Sequence, residues 1–81
     1  MRSDTQDASV AVLQAALSRY LDRHPRAADT LEGIALWWLP APLGRDSRPE
    51  DLARAVAQLT EAGRLQRVES PDGQVIYANR R

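Results

Sequence analysis

The chain has 81 residues, no cysteine and a balanced charge, 11 basic residues against 11 acidic with one histidine. That length builds one small domain, and the composition excludes a disulfide or a cysteine-based zinc site as a staple for it. Zero net charge also argues against a strong nucleic-acid binder, whose domain carries a clear basic excess.

Every basic residue is arginine, which reads as codon usage in a GC-rich genome. Apolar content is 43%, with no low-complexity segment and no internal repeat, so a folded core is expected. No stretch has the apolar length of a membrane span. The opening MRSDTQDASV is polar and acidic and lacks a signal-peptide core. A cytoplasmic protein without membrane contact is therefore expected, as one domain over residues 1–81 with 1–6 and 79–81 as frayed ends.

The first helix is predicted from Asp4 to His24. Val10, Leu13, Leu17, Tyr20 and Leu21 recur at helical spacing as one apolar stripe, with Ser18, Arg19 and Asp22 on the other side. Pro25 ends it by disfavouring helical geometry at the residue before. His24 reads as a cation favoured by the helix dipole at a C-terminus.

The second helix is predicted to start at Asp29, with Asp29-Thr-Leu-Glu32 as a capping-box-like opening, and to stop at Pro40. Leu31, Ile34, Ala35 and Trp38 share an inward face. Leu36 and Trp37 then point away from the core, on either side of Gly33. Adjacent helical residues stand about 100° apart, so Trp37 and Trp38 cannot both face inward. The spacing leaves open whether Trp37 packs under the first helix or the proline-rich loop, or stands exposed. If exposed, Gly33, Leu36 and Trp37 make a partner surface, with Gly33 admitting a close backbone.

Pro40 to Asp46 reads as a loop from its two prolines and glycine, with Leu43 tucked onto the core. The third helix opens at Ser47-Arg48-Pro49-Glu50, with Ser47 as the cap, proline in the first turn and an acid three residues on. Leu52, Ala55, Val56 and Leu59 form its buried stripe, and Gly63 ends it. Glu50, Asp51, Arg54, Ala57, Gln58 and Glu61 are read as its exposed face, with Glu50 placed to pair with Arg54. A hairpin follows: strand Leu65–Glu69, turn Ser70–Gly73, strand Gln74–Ala78. A hairpin alone is unstable in water, so it must pack on the helices. The expected class is mainly α with a small β-hairpin, in the order helix, helix, helix, strand, strand.

Three segments, TLEGIALWWL, LARAVAQLTEAGRL and RLQRVESPDGQVIY, together give a chain that resembles the winged helix-turn-helix family from Asp29 to Ala78. They resemble the motif's first helix, its recognition helix with a glycine-bounded exit, and its wing. The resemblance implies a three-helix winged-helix domain. One use of that scaffold is DNA binding, with Arg54 and Gln58 on base edges and Arg64, Arg67 and Arg80 on phosphates. A neutral module this small would do so as a dimer on double-stranded DNA. The other use is protein docking. Two departures from the family pattern favour docking: a longer connection between the second and third helices, and acids at Glu50 and Asp51, which repel phosphate. The preferred expectation is a subunit or adaptor that binds a protein partner or self-associates, through Gly33, Leu36, Trp37, Glu50, Asp51 and Glu61.

No enzyme is expected. One histidine without a supporting motif makes no catalytic triad, and the four glycines are scattered rather than gathered in a phosphate loop. Asp4 and Asp7 read as a solvated face rather than a metal site. No cofactor, metal or small-molecule substrate is expected.

Overall fold

The computed structural model describes residues 2–41 and 43–80, excepting the side chains of residues 2–8 and of Arg45. Along the chain it gives α1 (Arg2–Arg23), β1 (Ala28–Asp29), α2 (Leu31–Gly33), which continues as a π-helical turn (Ile34–Trp38), α3 (Leu43–Asp46), α4 (Pro49–Glu61), β2 (Leu65–Glu69) and β3 (Val75–Asn79). The strands form one antiparallel sheet in the order β1-β3-β2. Among the described residues, no helix is long and apolar enough to cross a membrane.

α1 and α4 pack together through the two stripes read from their spacing. Val10, Leu13, Leu17 and Leu21 face Leu52, Ala55, Val56 and Leu59, all buried, and Ile34, Trp38, Leu39 and Leu65 close the core. Tyr20, Leu31 and Ala35 are half-buried at its edge.

Two helix starts differ from expectation. The cap of α2 is Thr30, whose Oγ1 accepts from the Gly33 amide at 3.1 Å, because Asp29 is drawn into β1 by pairing opposite Tyr77. The cap position of α4 belongs to Arg48, which makes no side-chain capping bond, with Pro49 in the first turn. Ser47 instead closes the preceding turn, its amide donating to the Leu43 carbonyl at 3.0 Å. That turn, α3, lies within the segment read as loop; its Leu43 packs against the core as expected. The helix before it ends where Leu39 goes extended (φ −99°, ψ 137°), the conformation that a following proline imposes.

The hairpin has the expected first strand, and its return strand lies one residue later than expected. Arg67 is opposite Tyr77 and Glu69 opposite Val75. Gly63 (φ 84°) leaves α4 and Gly73 (φ 91°) turns the hairpin, both in the left-handed region. In the turn, the Ser70 hydroxyl donates to the Asp72 carboxylate. With the Gln74 amide as a second cause, this holds the Asp72 pKa below its ordinary value. The favourable contribution is present above the ordinary carboxylate pKa and is lost as pH falls through the lowered one.

β1 is the element that sequence patterning misses. Two residues are too few for any periodicity, yet Ala28 pairs with Ala78 and Asp29 with Tyr77, tying the hairpin to the α1–α2 connection. The expected loose end at 79–81 is corrected for its first two residues. The Asn79 side chain donates to the carbonyls of Leu21 and His24 at 3.0 and 2.9 Å, and its backbone amide to Ala27. The Arg80 amide donates to the Arg64 carbonyl at 3.0 Å. Asn79 thus adds a second donor to two carbonyls at the C-terminus of α1, which also accept from the backbone amides of His24 and Ala27 at 3.2 and 3.0 Å. Of the readings on the two ends, those on Met1 and Arg81 lie outside the described residues.

Candidate functional site

The adjacent tryptophans separate completely. Trp38 is 4% exposed and Trp37 is 72% exposed, with Leu36 beside it at 64%. Ile34 and Trp38, four residues apart, are the buried pair of this segment. Leu36 and Trp37, which lie between them, are thereby turned outward. A π turn of this kind, with its i to i+5 bonding, often marks a functional position.

Gly33 is no part of that outward surface. It is buried, and a Cβ there would overlap the Asp29 carboxylate. Asp29 also accepts from the Thr30 amide through Oδ1 at 2.8 Å. The glycine therefore admits a side chain of its own molecule, not the backbone of a partner. Asp51 is a second correction. It is 6% exposed, because it flanks the buried stripe of α4 one turn before Ala55. It borders a cleft shared with Val12, Leu43, Ser47 and Arg48 rather than the open face. Glu50 and Glu61 are exposed as read. They sit at opposite ends of α4, roughly 16 Å apart along the axis at 1.5 Å per residue. The cleft beside Trp37 is walled by α1 and not by α4, so the six docking candidates do not form one patch.

The residues proposed for nucleic acid are mostly engaged. Gln58 accepts a hydrogen bond from Gln14 of α1. Arg64 pairs with Asp22 at 3.1 Å and Arg67 with Glu69 at 3.9 Å. Arg80 lines the shallow cleft around that first pair. The expected Glu50–Arg54 pair is not among the ion pairs of the described residues, where Arg54 stands exposed without a salt-bridge partner. Beyond Leu65 every residue of β2 is exposed, whereas β3 is half-buried along its length with Tyr77 against the core.

A group that the sequence did not single out lies on the other side of Trp37. Tyr20 stacks between Trp38 (centroids 5.0 Å apart, planes at 12°) and His24 (4.1 Å, 27°). This stack borders a cleft of about 390 Å³ whose rim carries Arg19, Arg23 and Trp37. Arg19 and Arg23 are exposed and one helical turn apart, which places them on one edge of α1. Their i, i+4 spacing was visible beforehand, but nothing in the sequence says that the Trp37 segment lies alongside. Compared with family models, curated proteins and solved structures, the chain matches none.

Proposed function

We propose that this chain is a winged-helix-like interaction module that works without catalysis, docking a protein partner or a second copy of itself through the Leu36–Trp37 surface. The observation that carries the reading is the 72% exposure of Trp37 beside an equally outward Leu36. Tryptophan contributes heavily to binding when a partner covers it, and a large exposed apolar side chain next to another marks an interaction surface rather than a core defect. The three-stranded sheet holding the hairpin against the helices supports the winged-helix part of the reading.

The alternative is a DNA-binding regulator that uses α4 and the hairpin. In its favour are the exposed Arg54, without a salt-bridge partner among the described residues, and the exposed strand β2. Against it stand Glu50 and Glu61 on the same helix and the engagement of Gln58, Arg64 and Arg67.

The test compares the parent chain with Trp37→Ala. Sedimentation and affinity capture should show a complex, with itself or with a protein, that the variant loses while its melting curve is unchanged. Equal complex formation by both proteins rejects the docking surface. Fluorescence anisotropy with mixed duplex DNA is the second arm. Binding that weakens steeply with salt, and is lost in Arg54→Ala and Arg67→Ala, replaces the docking reading with the regulator.

A further inference from the structure

The cleft beside Trp37 has a composition that says what kind of partner it fits. One wall is the C-terminal half of α1, carrying Arg19, Tyr20, Arg23 and His24, and the other is Trp37 with Pro40. No acidic residue lines it. Arg19 and Arg23 make no ion pair or hydrogen bond among the described residues. The nearest acid in sequence, Asp22, is taken by Arg64 in a separate cleft. Arg26 carries the same sign into an adjoining shallow groove of about 480 Å³. In a chain of zero net charge, this corner therefore concentrates unneutralised cations beside an exposed indole.

The floor suits a directional contact. Tyr20 is fixed by stacking on both faces, so the wall loses little freedom on binding. The α1 carbonyls that would repel an anion at this end are partly occupied by the Asn79 amide. At about 390 Å³ the cleft holds a few side chains, the scale of a small pocket, and not a folded domain.

We propose that this cleft receives an extended segment of a partner protein in which an aliphatic or aromatic side chain is flanked by Asp or Glu. The apolar side chain lies against Trp37 and Pro40, and the carboxylates pair with Arg19 and Arg23. Arginine matches carboxylate with a planar fork of donors, and two guanidiniums one turn apart set the spacing of the acids they accept. A single-stranded nucleic acid also stacks on aromatic rings between cations. It is disfavoured because the outward surface continues from Trp37 to Leu36, an aliphatic group that gives a base nothing to stack on. This inference rests on the reading of Leu36–Trp37 as a protein-docking surface and adds the charge of the partner.

A random dodecapeptide display library panned on the full chain tests it, with selected peptides then labelled with a fluorophore and titrated by fluorescence anisotropy. The expected selectants carry an apolar or aromatic anchor within two residues of Asp or Glu. They should lose about tenfold or more in affinity against the Arg19→Gln/Arg23→Gln double variant, and all measurable binding against Trp37→Ala. Their affinity should fall severalfold between about 50 and 300 mM salt, as screening of exposed charges requires. Selectants that need Trp37 but carry no acids, or bind the double variant equally well, overturn the charge inference and leave the docking surface standing. Selectants indifferent to Trp37, or no enrichment, overturn both. Oligothymidine that binds with dependence on Arg19 and Arg23, and displaces the peptides, overturns the inference in favour of single-stranded nucleic acid.

Discussion

At the hairpin, Arg64 holds Asp22 at 3.1 Å and Arg67 reaches Glu69 at 3.9 Å, whereas at the end of α1 Arg19 and Arg23 hold no acid among the described residues. The residue type is the same in both places; what differs is the local supply of carboxylate. A hairpin that carries its own acids presents dipoles. The α1 corner, whose one acid is drawn away by Arg64, presents net charge. Arginine content alone therefore does not locate the unneutralised charge of this chain.

The tryptophans that border the α1 corner separate support from contact, and they give the largest expected effect. Trp38→Ala removes a buried ring that Tyr20 stacks on and should cost about 3–5 kcal/mol in chemical denaturation. Trp37→Ala should stay within about 0.5 kcal/mol, as exposed substitutions do. Comparable losses at both positions would mean that Trp37 is structural and would remove the docking surface.

Next in size is Gly33→Ala. The added methyl collides with the Asp29 carboxylate, which must swing away and give up its bond to the Thr30 amide; with alanine's better helix propensity offsetting part of this, the net loss should be about 1 kcal/mol. Asp29→Ala combined with Gly33→Ala should recover most of that loss, because the obstacle is then gone. A double variant as unstable as Gly33→Ala alone would show that the collision is not the cause. Asn79→Ala follows. It removes two side-chain hydrogen bonds at the end of α1 while the carbonyls keep their backbone donors, and should cost about 0.5–1 kcal/mol. An unchanged midpoint would mean that the His24 and Ala27 amides suffice for those carbonyls.

The elements that pattern alone could place are those whose signal is local. The stripes of α1 and α4, the break at Pro40 and the Ser70–Gly73 turn follow from side-chain periodicity and backbone restriction within one segment. The misses required tertiary partners. Thr30 rather than Asp29 caps α2 because β1 pairs with β3, and a two-residue strand has no pattern to read. Asp51 was placed on the open face by its helical angle, but it is buried at a cleft that it shares with Leu43 and Ser47 of the preceding segment and Val12 of α1. At the site, Trp37 and Leu36 could be named from the incompatibility of adjacent large side chains. Arg19, Arg23 and His24 could not, because their meaning depends on which segment crosses the end of α1.

The smallest effect tests the comparison most directly. Arg64→Ala breaks an ion pair whose partners are 39% and 70% exposed, so the loss of stability should be under about 1 kcal/mol after solvent screening. Its consequence lies at the other corner. Asp22 is released on α1 three residues after Arg19, within reach for a helical pair. The charge that Arg19 offers to an acidic segment is then partly met from within. Affinity for acidic display peptides should fall by roughly twofold to threefold at low salt, an effect of a few tenths of a kcal/mol. The fall should vanish near 300 mM, well inside the range where exposed charges are screened. Adding Asp22→Asn should restore the parent affinity. If Arg64→Ala leaves the peptides unaffected at low salt, Asp22 does not govern the α1 corner, and the contrast between the two arginine groups reduces to one of position.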